Sequence, residues 1–320
     1  MNVLITGGAG FIGSHLVEYH LNRGDVVHAL DDLSTGMMQN IDEFKAHPNF
    51  YFTKTDIISC QNLDEIVHWA DRIHHMAAIV GVLKVIESPE RVLSTNIQIT
   101  QCLLNAASTS TKHPTLLIGS TSEVYGEGYL KPFDESHDIS IGSQKNFCQS
   151  YIVSKIACEA YANAYHQEHG VNIINLRLFN TIGPRQTGRY GMVVPRFIEH
   201  ALNNTPITIH GTGTQMRSFC DVRDSVISMN ELADNPNAIG QVVNMGGDAL
   251  ISIIELAYLI KKLTHSTSAI EYIAYEKIYG TGFEDIMFRQ PILGKLYSLT
   301  QHRPQWALEA TLVDLIEHSE

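Results

Sequence analysis

Tyr151 and Lys155 sit four residues apart in Ser150-Tyr151-Ile152-Val153-Ser154-Lys155, at the start of a stretch that reads as helix. Four residues is about one helical turn, so both side chains share a face. An ammonium beside a phenol favours the phenolate and lowers a pKa that is about 10 when unperturbed. That is one way to make a base for a hydroxyl group near neutral pH. The same pair also occurs on ordinary helix surfaces, so the elements around it decide what it means.

Those elements begin at the N-terminus. Asn2–Thr6 is a short apolar run of strand character, followed by Gly7-Gly8-Ala9-Gly10-Phe11-Ile12-Gly13. Residues 14–21 then carry Leu16, Val17, His20 and Leu21 at helical spacing. A strand feeding a glycine loop that opens a helix is an arrangement that cradles a pyrophosphate. Glycine lets backbone approach the phosphates, and the helix N-terminus supplies free amides and partial positive charge. A second strand, 26–30, ends in Asp31-Asp32. An acid there accepts hydrogen bonds from an adenosine ribose and repels a 2′-phosphate. No Lys or Arg occurs between Asp31 and Asn40 to receive such a phosphate, which points to NAD rather than NADP.

Further strands are expected near 50–54, 72–76, 114–119 and 172–178, with helices between them, notably 88–108 and 150–168. That alternation is the pattern of a parallel sheet covered on both faces. Past Phe179 the rhythm breaks into turn-rich sequence, before helices recur near 222–233, 252–263 and 306–317. The expected architecture is α/β: a Rossmann-type, doubly wound parallel sheet over residues 1–178 and a smaller α/β substrate-binding lobe over 179–320, with some later segments returning to the sheet. Ligands of such open sheets bind beyond the carboxyl ends of the strands. The 7–13 loop, Asp31, Asp56, the 76–78 segment and the 120–123 segment all fall at predicted strand ends.

Read along its whole length, the chain resembles the extended short-chain dehydrogenase/reductases that modify nucleotide sugars. The likeness is carried by the 7–13 loop, Asp31, Asp56-Ile57, His75-Met76-Ala77-Ala78, Asn96 and Ser120-Thr121-Ser122-Glu123-Val124-Tyr125-Gly126. It continues through Tyr151 and Lys155, Phe179-Asn180-Thr181-Ile182-Gly183-Pro184-Arg185, Gly211-Thr212-Gly213-Thr214-Gln215-Met216-Arg217 and Arg289-Gln290-Pro291. Asp32 departs from the Asn that family members usually carry. The resemblance implies NAD held by Gly7, Gly10, Phe11, Ile12, Gly13, Asp31, Asp56, Ile57, Met76, Ala77, Ala78, Tyr151 and Lys155. It implies that Tyr151 takes the proton from a sugar C4 hydroxyl as hydride leaves, that Lys155 holds the nicotinamide ribose and depresses the tyrosine pKa, and that Thr121 hydrogen-bonds the same oxygen. Arg217 matches the family's pyrophosphate-binding arginine and Asn180 a neighbouring phosphate or sugar contact. Arg185 is a further candidate cation for an anionic nucleotide sugar. A homodimer is implied as well, with helices 88–108 and 150–168 as candidates for the pairing.

Glu123 and Arg289 bear on the reaction that follows oxidation. Dehydratases of this family carry an Asp-Glu pair after the threonine, and here Ser122 stands where that Asp would be. Thr121-Ser122-Glu123 resembles instead the UDP-glucuronate decarboxylases, in which the glutamate sits by the sugar carboxylate. The segment from Tyr279 to Pro291 resembles a part of those decarboxylases whose arginine, here Arg289, engages substrate. A guanidinium grips a planar carboxylate bidentately; a structural salt bridge of Arg289 with Glu284 or Asp285 is the plainer alternative. The resemblance implies oxidation of C4 to a β-keto acid, loss of carbon dioxide and reduction of the 4-ketone, with the cofactor regenerated. Tyr151-Ile152-Val153-Ser154-Lys155 is closer to epimerases, so a UDP-sugar 4-epimerase stays open beside the decarboxylase. A 4,6-dehydratase and a non-catalytic, NAD-responsive binding protein are the remaining readings.

Bulk composition excludes other classes. The formal net charge of −12 argues against a general nucleic-acid binder. Nothing resembles a signal peptide, and no apolar run approaches the length needed to span a bilayer. Five cysteines, an odd number without paired metal spacing, fit a reducing, cytoplasmic setting. Among sixteen histidines, His74-His75 point to opposite faces of a strand, and His166 with His169 lack a third ligand at metal spacing, so no metal site is expected.

Overall fold

The computed structural model describes residues 1–126, 132–141, 149–188, 191–280 and 285–318. Seven strands build its main sheet: β1 (Asn2–Thr6), β2 (Val26–Asp31), β3 (Phe50–Lys54), β4 (Arg72–His75), β5 (Thr115–Thr121), β6 (Asn172–Leu178) and β10 (Val242–Met245). All pair in parallel, in the spatial order β10-β6-β5-β4-β1-β2-β3. Val3, Leu4 and Ile5 of β1 are wholly buried. A parallel strand covered on both faces needs such a continuous apolar run rather than alternation. The order reverses beside β1, whose C-terminal end together with that of β4 therefore opens a crevice.

Successive residues of β1 serve opposite layers, as the period of two requires. Val3 and Ile5 pack with Leu16 and Val17 of the helix Phe11–Asn22 and with Val226 and Met229 of the helix Val222–Asp234. Leu4 packs on the other face with Leu103 and Leu104 of the helix Pro89–Ser108 and Ala162 of the helix Gln149–His169. Each fully buried Leu or Ile of this kind contributes about 1.5–3 kcal/mol. His74 and His75 point to opposite faces. His74 meets His20 on one side, and His75 lies between Thr6 and Thr100 on the other.

Beyond residue 178 the chain is shared between sheet and lobe. Residues 222–245 and the helix Gly294–Leu299 pack on the main sheet. The lobe holds β7 (Asn180–Ile182), β9 (Met216–Asp221), β11 (Leu250–Ser252) and β13 (Phe288–Arg289), with β9 central, and a parallel pair β8 (Ile207–His210) and β12 (Ile270–Ile273). Its core is built from Phe197, Ile209, Phe219, Leu256, Ile260 and Leu312. A capping box, Ser252 with Glu255, starts the helix Ile253–Leu263. No described helix is long and apolar enough to cross a membrane. Cys148 and Glu284 lie outside the described residues.

Candidate active site

The crevice opens into a cavity of about 540 Å³ that runs from the glycine loop to the lobe, a size suited to small-molecule ligands. At one end, Gly7 adopts φ +71°, and a Cβ on it would lie 2.8 Å from the Ala77 amide nitrogen. A Cβ on Gly13 would run into the Gly7 carbonyl. Gly10 caps the helix Phe11–Asn22 without a side-chain hydrogen bond, and no acid occupies the first turn, so the positive helix end faces the cavity. Phe11 and Ile12 line the same wall.

Asp31 closes β2 at the rim. Its Oδ2 accepts from the Ala9 amide at 3.0 Å and its Oδ1 from the Leu33 amide at 2.8 Å. Burial pushes its pKa up, while those two amides oppose the shift. Asp56 Oδ1 accepts from the Ile58 amide at 2.9 Å, and Ile57 beside it is buried. Met76, Ala77 and Ala78 line the cavity, with the Ala77 amide donating to Thr6 Oγ1 at 3.3 Å. Asn96 pins the following loop to the helix Gln149–His169: its Oδ1 accepts from the Ile79 amide at 2.8 Å and its Nδ2 donates to Ser154 Oγ at 3.2 Å. A cradle closed to side chains, an uncapped helix end and an acid at the strand end fit an NAD dinucleotide.

At the middle of the cavity, β5 carries Thr121 to the edge of the crevice, because it pairs with β6 over its full length as far as Leu178. Thr121 Oγ1 accepts from the Glu123 amide and starts the short turn Ser122–Tyr125. The Tyr151 phenol faces the Thr121 side chain, which acts to lower its pKa. Lys155 Nζ donates to the Gly119 carbonyl at 2.7 Å and lies 6.0 Å from the Tyr151 ring centroid. The lowered tyrosine pKa that the spacing predicts is not found in this chain by itself. Burial first, and the Glu123 carboxylate second, push Tyr151 well above the usual phenol value; Thr121 and Arg289 act the other way. Lys155 is spent on the Gly119 carbonyl, and burial lowers its own pKa.

Glu123 and Arg289 face each other: Arg289 Nη1 donates to Glu123 Oε1 at 3.4 Å. Arg289 Nε is buried with no hydrogen-bond partner among the described residues. The register of β9 with β13 sets Arg289 beside Arg217. Arg217 pairs with Asp285 at 2.7 Å and donates to the Ile286 carbonyl at 2.6 Å. Burial, then the neighbouring Arg289, bring its pKa down to about 10. So Asp285, a partner considered for Arg289, belongs to Arg217. Asn180 lines the cavity while its Nδ2 donates to the Ser218 carbonyl at 3.0 Å.

Arg185 is the residue that the structure does not bring to the cavity. Its backbone sits at φ +67°, and its side chain reaches Glu18 at 2.7 Å and Glu43 at 3.1 Å. Those carboxylates lie beside the first helix, outside the crevice, so Arg185 ties the turn after β7 to that helix. The residues that sequence reasoning missed form the far end: Arg196, His210, Gln215, Tyr275 and Tyr279. His210 Nε2 meets Arg196 at 2.6 Å and its Nδ1 meets the Tyr279 hydroxyl at 2.8 Å. Burial, then Arg196, push its pKa down to about 4. Tyr275 and Tyr279, four apart on one short helix, carried a spacing signal that could have been read.

A doubly wound sheet with a glycine-loop cradle and a Thr–Tyr–Lys cluster at the same strand ends defines an NAD-dependent enzyme of the short-chain dehydrogenase/reductase type. Residues 3–246 match the NAD dependent epimerase/dehydratase family, and the chain belongs to it. It is 36% identical over 315 residues to a UDP-N-acetyl-alpha-D-glucosaminuronate decarboxylase of Bacillus cytotoxicus, covering 98% of this chain and 96% of that protein. It is 32% identical over 319 residues to UDP-glucuronic acid decarboxylase 1 of Danio rerio, covering 99% of this chain and 72% of the relative. Among solved structures, UDP-glucuronic acid 4-epimerase from Bacillus cereus, in complex with UDP-glucuronic acid and NAD, superposes with a TM-score of 0.87 at 28% identity, covering 100% of both chains.

Proposed function

We propose that this enzyme decarboxylates a UDP-hexuronate, either UDP-glucuronate or its 2-acetamido counterpart, through a 4-keto intermediate. The observation that carries the reading is the Arg289–Glu123 pair beside Tyr151, in which the buried Arg289 Nε has no partner among the described residues. A substrate carboxylate supplies the acceptor that this nitrogen lacks and gives the guanidinium its planar, two-point contact. The decarboxylases of Bacillus cytotoxicus and Danio rerio support the same reading.

The chain's own groups divide the work as follows. Thr121 and Tyr151 hold the C4 oxygen, and Tyr151 takes its proton. Lys155 stabilises the phenolate as it forms. NAD held by the 7–13 loop, Asp31 and Lys155 would supply the hydride acceptor for C4 and a positive charge that opposes the upward shift of the Tyr151 pKa. Arg289 then holds the carboxylate while the carbon–carbon bond to it breaks, and the C4 ketone takes up the electrons of that bond. Glu123, after taking up a proton from solvent, is the group proposed to deliver it to the ring carbon left behind.

A second reading is a UDP-uronate 4-epimerase. The full-length superposition on the Bacillus cereus 4-epimerase favours it, and the same Tyr151 and NAD would serve. Incubation with UDP-glucuronate and UDP-N-acetylglucosaminuronate, read by mass and proton NMR, separates the two. Decarboxylation gives a UDP-pentose and carbon dioxide. An unchanged mass with inverted C4 establishes the epimerase instead.

The chain is further proposed to form a homodimer through the helices Pro89–Ser108 and Gln149–His169. Leu93, Ile97, Val153 and Ile156 on these helices are only partly buried, which supports the pairing. Light scattering is expected to give twice the 35.6 kDa of one chain.

A further inference from the structure

We propose that Glu159 is a positioning residue for the catalytic helix: with Ser120 and Arg177 it fixes where Tyr151 and Lys155 stand against the strand that carries Thr121. The proposal rests on the reading of Tyr151 as the C4 base, and goes beyond it by assigning a part to a buried ion pair that the chemistry does not use.

Tyr151, Lys155 and Glu159 follow one another at intervals of four, on one face of the helix Gln149–His169. Three turns of that helix are set against three consecutive residues of β5. Tyr151 faces the Thr121 side chain, Lys155 Nζ donates to the Gly119 carbonyl at 2.7 Å, and Glu159 Oε1 accepts from Ser120 Oγ at 2.5 Å. The first two contacts involve groups that must engage ligand during turnover. The third is free of that demand and can hold the helix while the other two exchange partners.

Glu159 and Arg177 are both about 95% buried, and their contact is bidentate: Nε to Oε1 at 3.0 Å and Nη2 to Oε2 at 2.8 Å. A buried pair of this kind adds little net stability over apolar residues of the same volume, but its directional bonds can specify one arrangement. The arrangement specified here extends past the helix. The Arg177 guanidinium lies 4.6 Å from the Tyr125 ring centroid, and Tyr125 closes the turn that bears Glu123. The Tyr125 ring stacks on Phe133 at 4.7 Å, and the Phe133 amide donates to the Gln290 carbonyl at 2.7 Å, one residue from Arg289. One buried run of contacts therefore links the helix of Tyr151 to the supports of Thr121, Glu123 and Arg289.

The test uses the NAD-loaded enzyme with two variants. Ser120→Ala removes the strand contact and leaves the ion pair whole; Glu159→Asp keeps the charge and withdraws the carboxylate. Each is measured for kcat per bound NAD, KM, thermal midpoint and the Tyr151 ring signal in carbon-13 tyrosine NMR, assigned with Tyr151→Phe. Misplacement by about 1 Å can cost roughly a hundredfold in rate. Each variant is therefore expected to lower kcat by about tenfold or more, to leave KM and bound NAD within about twofold, and to move the Tyr151 signal. An unmoved signal, or a kcat within about twofold of the parent whatever the thermal midpoint does, overturns the proposal. If the parent enzyme turns over no UDP-sugar, the substrate reading fails, and the NMR comparison still decides whether Glu159 positions Tyr151.

Discussion

Tyr151 is held as a neutral phenol by burial and by the Glu123 charge, and the proposed reading makes its hydroxyl the group that exchanges the proton of the sugar. Tyr151→Phe is expected to retain bound NAD and to lower kcat by roughly a hundredfold to ten-thousandfold, the usual worth of a positioned acid–base group. Initial rates beside the NAD released on denaturation check both halves. Arg289 makes a different contribution. It meets Glu123 at the long distance of 3.4 Å, and its Nε has no partner among the described residues, so this pairing leaves hydrogen-bonding capacity unused. Arg289→Gln removes the charge but keeps a donor. A hydrogen bond to a charged group is worth about 1.5–3 kcal/mol, so the KM for a UDP-uronate should rise by roughly tenfold to a hundredfold. Binding of UDP-glucose, which lacks the carboxylate, should change by less than about threefold in a competition assay. An equal loss for both ligands would mean that Arg289 serves the nucleotide rather than the carboxylate.

At the scale of elements, the tightest constraint is the glycine loop. Gly13 has no room for a Cβ between the Gly7 carbonyl and the Gly8 backbone, whereas a Cβ on Gly294, at the start of its helix, meets nothing. Gly13→Ala should therefore cost about 1–3 kcal/mol through overpacking and abolish NAD retention. Gly294→Ala should be neutral or slightly stabilising. Thermal midpoints and bound NAD of the two variants give the comparison. This loop, Asp31 and the Tyr151–Lys155 pair were legible in the sequence because each answers a local demand: close backbone approach, an acid ending a strand, two side chains one turn apart. The six parallel strands of the first half were legible for the same reason, since each is an apolar run bounded by turns. The far end of the cavity was not. Arg196, His210, Gln215 and Tyr275 come from separate elements, brought together by the β8–β12 and β9–β13 pairings, whose strands of two to six residues carry no usable periodicity. Arg185 shows the other gap: its neighbour Asn180 lines the cavity, but a left-handed backbone at Arg185 itself turns the guanidinium towards Glu18.

Across the whole molecule, the buried histidines tie stability to pH. His20 and His75 are pushed down by burial to about 4 and about 3, and His74 is pushed down by burial with no exposed surface at all. His20 Nε2 and His74 Nε2 lie 3.0 Å apart, an arrangement that requires at least one neutral ring. His75 sits between Thr6 and Thr100 beneath the cofactor end of the cavity, so its protonation would break the contacts that set the height of the 76–78 segment. The sign follows from where the protons go. In the unfolded chain these imidazoles titrate near 6.5, so as pH falls the unfolded state takes up protons first. Their contribution to stability is complete above about pH 6.5 and is lost progressively as pH falls towards 4. His20 alone accounts for on the order of 3 kcal/mol over that window. The thermal midpoint should therefore be flat between about pH 7 and 8 and fall steeply below about 6.5, with bound NAD released along the same curve. Burial and Glu123 push Tyr151 upwards, away from this window, so its titration does not contribute to the acid-side loss of the thermal midpoint. A thermal midpoint that holds steady down to about pH 4.5 would show that these rings stay solvated enough to protonate in place.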